Sequence, residues 1–324
     1  MNVKGIHHLS AMTGNAADNF KFYTEVLGMR LVKKTVNQDD TTAYHLFYGD
    51  ERGNPGTELT FFDFPEIGPK KEGVGSISGT SLRVASDDAL QYWEKRLTAL
   101  DVKHASISEL AGRNVLMFED PEGQKLSLVS DEKNAGVQGG IPWDKSPVPA
   151  EFGIRGLGPV KLTVRKPEST LSALSLLGFT EKNRIPAWVE GQPDVIIMQA
   201  GEGGSGAEVQ VEPRSDLSAA GLGKGGVHHV AFRIEDKEEL LAWIEILNRA
   251  GLPNSGFVER YYFRSLYFRE PNGILFELAT DGPGFATDEP FETLGETLAL
   301  PPFLENQRKS IEANLKPLNT KRSV

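Results

Sequence analysis

Apolar and polar residues follow two different periods between Gly225 and Ala279. In the segments GGVHHVAFRI and PNGILFELAT they alternate, which is typical of strands with one buried face. Between these segments apolar residues recur every three or four positions, which is typical of a helix: Leu240, Leu241, Trp243, Ile244 and Leu247. Asp236 stands where a helix is capped and Gly251 where one ends. The stretch is therefore predicted to fold as a strand, a helix and further strands.

The same order of elements recurs in three further stretches, residues 1–65, 75–131 and 156–213. Each copy begins with a strand and ends with a glycine-containing turn followed by a strand. Repeats of about sixty residues with these landmarks are typical of duplicated βαβββ modules, which pair to form half-barrels. We therefore predict an α+β fold in which four βαβββ modules form two half-barrel pairs.

Strand alternation also predicts which side chains face the inside of a half-barrel. On the first strand of the fourth module, the apolar residues Val230 and Phe232 share a face with His228, so His229 points to the opposite, concave side. Glu277 faces the same side from the last strand of this module. One imidazole and one carboxylate are thus aimed at a common point.

The equivalent positions in the four modules decide which modules carry metal ligands. The His229 position holds, in chain order, His8, Gly79, Pro159 and His229. The Glu277 position holds Thr60, Ser127, Gln210 and Glu277. The predicted ligand set is therefore His8, His229 and Glu277. Two imidazoles and one carboxylate form the facial arrangement that leaves three open positions on non-haem Fe(II).

Ligands from the first and fourth modules can meet only if these modules share a barrel or if chains exchange modules. We expect the shared barrel, built from modules 1–66 and 222–282, with the middle modules forming a second barrel without metal. Residues 132–155 are rich in Gly and Pro and are predicted to link two domains, 1–135 and 150–285. In the C-terminal tail, 286–324, the module landmarks are missing, and both plain packing and covering of a cavity mouth stay open.

Composition narrows the classes of function. The net charge is −10 and no basic run is longer than a pair such as Lys321-Arg322, so nucleic acid is not an expected partner. No apolar run approaches the length of a membrane-spanning helix, and MNVKGIHHL leads directly into a predicted strand, so we expect no membrane partner and a cytoplasmic protein. The absence of cysteine excludes disulfides and thiolate ligands, which leaves histidine and carboxylate as strong metal ligands.

The segments GIHHLS, FYTEVLGMRLVKKTV, GGVHHVAF and LFELATD resemble the ring-cleaving hydroquinone-type dioxygenases of the vicinal oxygen chelate superfamily. The resemblance covers nearly the whole chain. It implies Fe(II) as the cofactor, held by His8, His229 and Glu277, with a small aromatic diol and O2 as substrates. It further implies roles beside the substrate for the four positions Ser10, His228, Arg260 and Tyr267.

The residue pattern supports these four roles unevenly. Tyr267 lies on the inward side of its strand, and Ser10 follows His8 on the same face. Arg260 could pair with an anionic oxygen of the substrate or could be a surface arginine. By alternation, His7 and His228 face the helices unless a bulge interrupts their strands. His45 and His104 are expected to be structural or exposed.

The sequence thus predicts an Fe(II)-dependent ring-cleaving dioxygenase acting on hydroquinone- or catechol-type diols. One alternative is a glyoxalase-type metal isomerase, which generally needs a second carboxylate where this chain has Thr60. The other is a non-catalytic protein that binds an aromatic drug or quinone, for which the retained ligand set has no use. The substrate, the ring bond cleaved and the formation of a homo-oligomer are left open by the sequence.

Overall fold

The computed structural model describes residues 1–322, and each of the four sequence repeats folds as one strand, one helix and three strands. The first module contains β1 (Ile6–Thr13), α1 (Ala16–Lys21, continued by a π-helical turn Phe22–Val26), β2 (Arg30–Val36), β3 (Tyr44–Gly49) and β4 (Glu58–Asp63). The second module contains β5 (Ser76–Val84), α2 (Asp87–Ala99), β6 (Ser108–Leu110), β7 (Arg113–Glu119) and β8 (Lys125–Ser130).

The third and fourth modules follow the same order. The third contains β9 (Leu157–Val164), α3 (Pro167–Leu176), β10 (Thr180–Ile185), β11 (Val195–Gln199) and β12 (Glu208–Pro213). The fourth contains β13 (Val227–Ile234), α4 (Lys237–Arg249), β14 (Val258–Glu259), β15 (Arg264–Arg269) and β16 (Leu275–Thr280). Beyond the modules lies one short helix, α5 (Arg308–Asn314). The predicted α+β fold of four βαβββ modules is confirmed.

The sixteen strands form two curled, eight-stranded half-barrel sheets. The first sheet has the order β14-β15-β16-β13-β1-β4-β3-β2 and thus combines the fourth module with the first. The second has the order β10-β11-β12-β9-β5-β8-β7-β6 and combines the third module with the second. Within each sheet the two modules meet through an antiparallel pair, β1 with β13 and β5 with β9. The division of the chain into domains 1–135 and 150–285 stays a prediction.

The helices cover one face of each sheet because both elements present apolar residues there. In α4 the Asp236 carboxylate caps the first turn by accepting a hydrogen bond from the Glu239 N–H at 2.9 Å. Trp243 on this helix is fully buried, as is Phe232 on β13. Gly251 follows α4 with a φ of +69°, a left-handed conformation that glycine adopts without steric cost. The opposite, concave face of the first sheet holds polar side chains together with aromatic ones.

The central strand pair of the first sheet contains two β-bulges. Ile6 pairs with Phe232 and His8 with Ala231, so His7 is an extra residue on β1. His228 is an extra residue on β13 in the same way, between the pairs that His229 and Val227 make with β1. A bulge breaks the alternation of faces locally. Each double-histidine segment therefore turns both of its imidazoles away from the helices.

The segment that follows β16, from Gly282 into the C-terminal tail, packs against the first sheet. The Phe285 ring lies 5.0 Å from the Phe47 ring and 5.5 Å from the Tyr262 ring, measured between centroids. The buried Lys33 ammonium donates hydrogen bonds to the carboxylates of Asp288, at 2.7 Å, and Glu289. Of the two roles left open by the sequence, packing is the one that these contacts show. Within residues 1–322, no helix is long and apolar enough to span a bilayer.

We expect the Phe285→Ala substitution to destabilise the protein by about 3 kcal/mol, because it empties a ring-sized volume beneath the first sheet. Urea unfolding followed by circular dichroism measures the free energy of unfolding. Phe303→Ala is the matched control: Phe303 is 52% exposed, so its loss should cost less than about 0.5 kcal/mol. If the free energy of unfolding falls as little in Phe285→Ala as in Phe303→Ala, the Phe285 ring adds no packing energy.

Candidate metal centre

Three adjacent strands at the centre of the first sheet bring His8, His229 and Glu277 together. In the sheet order β16-β13-β1, Ala231 pairs with Glu277 on one side and with His8 on the other. Glu277 Oε2 lies 3.1 Å from His8 Nε2 and 2.9 Å from His229 Nε2, and the two Nε2 atoms are 3.2 Å apart. All three side chains are buried. Three donor atoms thus form a compact triangle at the bottom of the concave face.

The triangle has the dimensions of a metal-binding face. Adjacent corners of an octahedron are about 3.0 Å apart when metal-to-ligand distances are about 2.1 Å, whereas a tetrahedron of the same bonds needs about 3.4 Å. The separations of 2.9 to 3.2 Å match the octahedral face. Glu277 Oε2 is also buried without a hydrogen-bond donor, which is costly unless a cation takes that place. The residues present therefore fit a divalent metal that accepts a facial set of ligands.

The charge state of Glu277 suits such a ligand. Burial alone would raise the pKa of Glu277, but the His8 and His229 imidazoles hold it well below its usual range. Ser265 Oγ donates a hydrogen bond of 2.5 Å to the other carboxylate oxygen, Oε1. The carboxylate is thus ionised and fixed in direction, with Oε2 aimed at the two imidazoles.

A second group of metal-ligand type shares His8 with the first. It adds His7 and Glu58, whose Nδ1 and Oε2 atoms are 3.9 Å apart. Burial raises the pKa of Glu58 well above its usual value, which favours the neutral, protonated carboxyl. A neutral carboxyl is a poor ligand. His8, His229 and Glu277 are therefore the stronger candidates.

The tautomer of His8 follows from a chain of hydrogen bonds. His7 Nε2 lies 3.1 Å from the Thr280 carbonyl oxygen, which can only accept, so His7 carries its proton on Nε2. Burial and the neighbouring His8 lower the pKa of His7 to about 3, so the ring is neutral and its Nδ1 is an acceptor. His8 Nδ1, 3.0 Å away, must then be the donor. When the His8 ring is neutral, as a metal ligand must be, its lone pair is therefore on Nε2, directed at the triangle.

His229 is supported in the same manner by the histidine before it. The Nδ1 atoms of His228 and His229 are 2.8 Å apart, and burial lowers the pKa of His228 to about 3. With the His229 lone pair on Nε2, the Nδ1–H of His229 donates to His228, and His228 carries its own proton on Nε2. The alternation-based prediction that His7 and His228 face the helices is wrong, because the two bulges turn these rings toward the concave side.

The triangle opens into a cavity of about 510 Å³. Its wall is mostly apolar and aromatic, with side chains from the first and fourth modules and the loop before β13: Met12, Phe47, Phe62, Phe64, Leu222, Phe263 and Leu275. All four residues that the family resemblance placed beside the substrate also line it: Ser10, His228, Arg260 and Tyr267. A flat aromatic molecule is the kind of ligand that such a wall accommodates.

Tyr267 and Arg260 form one hydrogen-bonded unit beside the triangle. Tyr267 pairs with Glu277 across β15 and β16, and its ring lies 5.8 Å from the His229 ring. Arg260 Nε donates to the Tyr267 hydroxyl oxygen at 3.2 Å, while Asp39 accepts from the same guanidinium at 2.8 Å. Burial and the Glu277 charge raise the pKa of Tyr267, so its O–H stays protonated and free to donate. Arg260 is thus a cavity residue rather than a surface arginine.

His45 is a cavity residue that the sequence reasoning missed. Its Nε2 lies 2.9 Å from Thr60 Oγ1, which is 2.7 Å from Ser10 Oγ, and its ring is sandwiched between Phe47 and Phe62 at 3.9 and 4.2 Å. The signal was present, since alternation in AYHLFYGD separates His45 from the core residues on the other face. His104, by contrast, contacts Thr98 and the Ala105 carbonyl and does not line this cavity.

Comparison with known proteins places this geometry in a family context. Residues 5–128 and 156–278 match the family model described as the glyoxalase/bleomycin resistance protein/dioxygenase superfamily. The chain is 56% identical over 319 residues, 98% of its length and all of the relative's, to the "Putative ring-cleaving dioxygenase MhqA" of Bacillus subtilis (strain 168). It is 31% identical over 315 residues, 95% of both chains, to the chlorohydroquinone/hydroquinone 1,2-dioxygenase of Sphingobium indicum.

A solved structure shares the whole fold. The crystal structure of a "putative dioxygenase" from Bacillus subtilis subsp. subtilis str. 168 superposes with a TM-score of 0.88 at 35% identity, covering 99% of each chain. The curled two-sheet architecture is therefore common to this chain and that relative.

We expect Glu277→Gln to lose bound iron and Glu58→Gln to retain it. The first change removes the anionic oxygen from the donor triangle, whereas the second replaces a carboxyl whose neutral form burial favours. Metal content of the purified proteins, measured by plasma emission spectroscopy after anaerobic loading and gel filtration, gives the result. Iron retained by Glu277→Gln, or lost only from Glu58→Gln, would move the site to the His7 group.

Proposed function

The chain belongs to the glyoxalase/bleomycin resistance protein/dioxygenase superfamily, and we propose that within it the protein is an Fe(II)-dependent dioxygenase that cleaves the ring of hydroquinone- or catechol-type diols with O2. The observation that carries the proposal is the triangle of His8, His229 and Glu277 at the base of an aromatic-lined cavity. Two imidazoles and one carboxylate leave three positions open, enough for a diol oxygen and O2 side by side. The names of the two relatives point to the same reaction class.

Fe(II) held by these three residues would acidify a diol hydroxyl and supply electrons toward O2. The chain's own residues have the remaining tasks. The aromatic wall holds the ring and excludes water, which strengthens polar interactions inside the cavity. Tyr267, kept protonated by burial and the Glu277 charge and oriented by Arg260, donates its O–H toward the substrate oxygens beside His229. His228 presents its Nε2–H to the cavity as a second donor.

The structure also suggests how a 1,4-diol would be held. Its second hydroxyl lies at the end of the ring opposite the metal-facing hydroxyl, whereas that of a catechol lies beside it. His45 on β3 is separated from β13 by two strands of the curled sheet and lines the same cavity. Thr60 and the two flanking aromatic rings fix its ring. We assign His45 the far hydroxyl of a hydroquinone.

Oxygen-electrode measurements on anaerobically iron-loaded protein test the proposed reaction. The expected result is one O2 consumed per diol, with an open-chain product. Turnover of methylglyoxal–thiol adducts without O2 would instead indicate an isomerase. Diol binding by the iron-replete protein without O2 consumption, across a panel of hydroquinones and catechols, would indicate a binding protein.

Tyr267→Phe should lower kcat about a hundredfold while iron content changes by less than about twofold, because the lost hydroxyl donates to the substrate and not to the metal. Tyr261→Phe is a matched control, since Tyr261 neighbours this region but does not line the cavity. Parallel loss of iron and activity in Tyr267→Phe would show that the hydroxyl supports the metal site instead.

His45→Phe should raise KM for hydroquinone about tenfold, the value of one hydrogen bond, and leave KM for catechol unchanged. His45→Gln, which keeps a hydrogen-bonding group, should recover part of the affinity. Anaerobic titration with hydroquinone and with phenol, which lacks the far hydroxyl, measures the same preference without turnover. An equal change for both diols would assign His45 to packing alone.

A further inference from the structure

A second cavity, of about 390 Å³, lies on the concave side of the second sheet and is used by no step of the proposed reaction. β5, β9 and β12 provide much of its floor, and the segments before β5 and β13 provide its rim. Lys161 extends into it from β9, so we refer to it as the Lys161 cavity. It shares Leu222, His228 and Leu275 with the wall of the metal cavity, which makes the two cavities direct neighbours.

The Lys161 cavity is strongly basic in an acidic protein. Two acidic side chains line it, Glu72 and Glu212, against six basic ones: Lys70, Lys71, Lys125, Lys161, Arg214 and Arg269. The whole chain carries a net charge of −10. Neutral aromatic diols gain nothing from such a wall, whereas small anions do.

Half of these cations lack a carboxylate partner. Ion pairs of 3.1, 2.7 and 2.8 Å join Lys161 to Glu212, Lys125 to Glu72 and Arg214 to Asp216. Lys70 donates only to the Gly123 carbonyl and Arg269 only to the Gly273 carbonyl, and for Lys71 no carboxylate of residues 1–322 lies within ion-pair distance. The positive surplus therefore faces the cavity rather than being cancelled within its wall.

A hydrogen-bond donor without an acceptor stands in the same wall. The Trp188 Nε1–H is buried and has no partner among the described residues, and the Lys161 ammonium lies 4.0 Å from the centroid of the Trp188 ring. Burial lowers the pKa of Lys161, and the Glu212 carboxylate opposes that shift. A carboxylate ligand would act in the same direction as Glu212.

Ring cleavage creates a ligand of this charge from a neutral substrate. Both atoms of O2 enter the product: one carbon–carbon bond of the ring breaks, one of its carbons becomes a carboxylic acid and the other a carbonyl. The ring supplies the four electrons that O2 gains, and near pH 7 the acid releases its proton to water. The substrate is therefore uncharged and the product an open-chain anion, formed next to the Lys161 cavity.

We propose that the Lys161 cavity binds an open-chain carboxylate of the size of a six-carbon ring-cleavage product. The idea that this carboxylate is the protein's own product rests on the proposed function, whereas the binding of a carboxylate to the cavity does not. Lys161 and Arg269 are the groups placed to hold the carboxylate.

Equilibrium dialysis of metal-free protein against adipate, a six-carbon dicarboxylate, tests the binding itself. Adipate should bind to the wild type and weaken at least about tenfold in Lys161→Gln, because a cation is lost and Glu212 is left to repel the ligand. Lys103→Gln, at an exposed lysine outside the cavity, should leave binding unchanged. Arg269→Gln should also weaken adipate binding. Because Arg269 is exposed, this second variant tests the proposal even if Lys161→Gln does not fold.

Two further readouts locate the ligand. Adipate should change tryptophan fluorescence in the wild type and not in Trp188→Phe, and the uncharged diamide of adipate should neither bind nor change it. No adipate binding, or equal binding by the wild type, Lys161→Gln and Arg269→Gln, would overturn the proposal.

Product inhibition of the iron-loaded enzyme distinguishes the sources of the carboxylate. If the product is the ligand, Lys161→Gln should raise its inhibition constant by the same factor as for adipate and leave kcat/KM for the diol unchanged. Lysine-dependent adipate binding with unaltered product inhibition would contradict the product origin and indicate a carboxylate from another source. If no diol is turned over, the proposed function fails, while the dialysis result still decides the cavity.

Discussion

The antiparallel pairing of β1 with β13 joins residues more than two hundred positions apart, and the first sheet depends on it. Without this pair the first and fourth modules would not share a sheet. Glu277 would then have only His229 beside it, and not His8. The pairing places three donor atoms within 3.2 Å of one another in a region that excludes water. Burying an ionised carboxylate there is costly unless positive charge compensates it. The strand pair thus creates both the metal-binding geometry and the electrostatic need for a cation.

The two β-bulges in that pair extend the effect to the neighbouring histidines. A regular strand would place His7 and His228 on the helix side, where an imidazole gains no contact with the triangle. With one extra residue on each strand, His7 and His228 instead contact His8 and His229 through their Nδ1 atoms. In a neutral His8 ring, the His7 contact fixes the tautomer that leaves Nε2 unprotonated, which a metal ligand requires, and the His228 contact is compatible with the same tautomer of His229. The bulges therefore orient both inner imidazoles toward the triangle.

This arrangement also explains how much of the site could be predicted from the sequence. Repeats and strand periodicity are local, so the four modules and the inward direction of His8, His229 and Glu277 were accessible. Bulges have no compositional signal here, and counting alternate residues across them gave the wrong face for His7 and His228. Arg260 follows no periodic segment, and its direction is set by Asp39, which is distant in sequence. His45 was accessible by alternation but stood outside the double-histidine motifs.

The second sheet shows that the scaffold alone does not make a metal site. Its strand order is the same as that of the first sheet, yet the positions equivalent to the three ligands hold Gly79, Pro159 and Gln210, none of which binds metal strongly. Its concave face instead carries a surplus of lysine and arginine. One sheet thus concentrates a buried negative charge that a divalent cation would neutralise, and the other a positive charge that an anion would neutralise. The two cavities share the wall at His228. In the proposed reaction the metal cavity would hold the uncharged diol, and the basic Lys161 cavity would favour the acid formed from it.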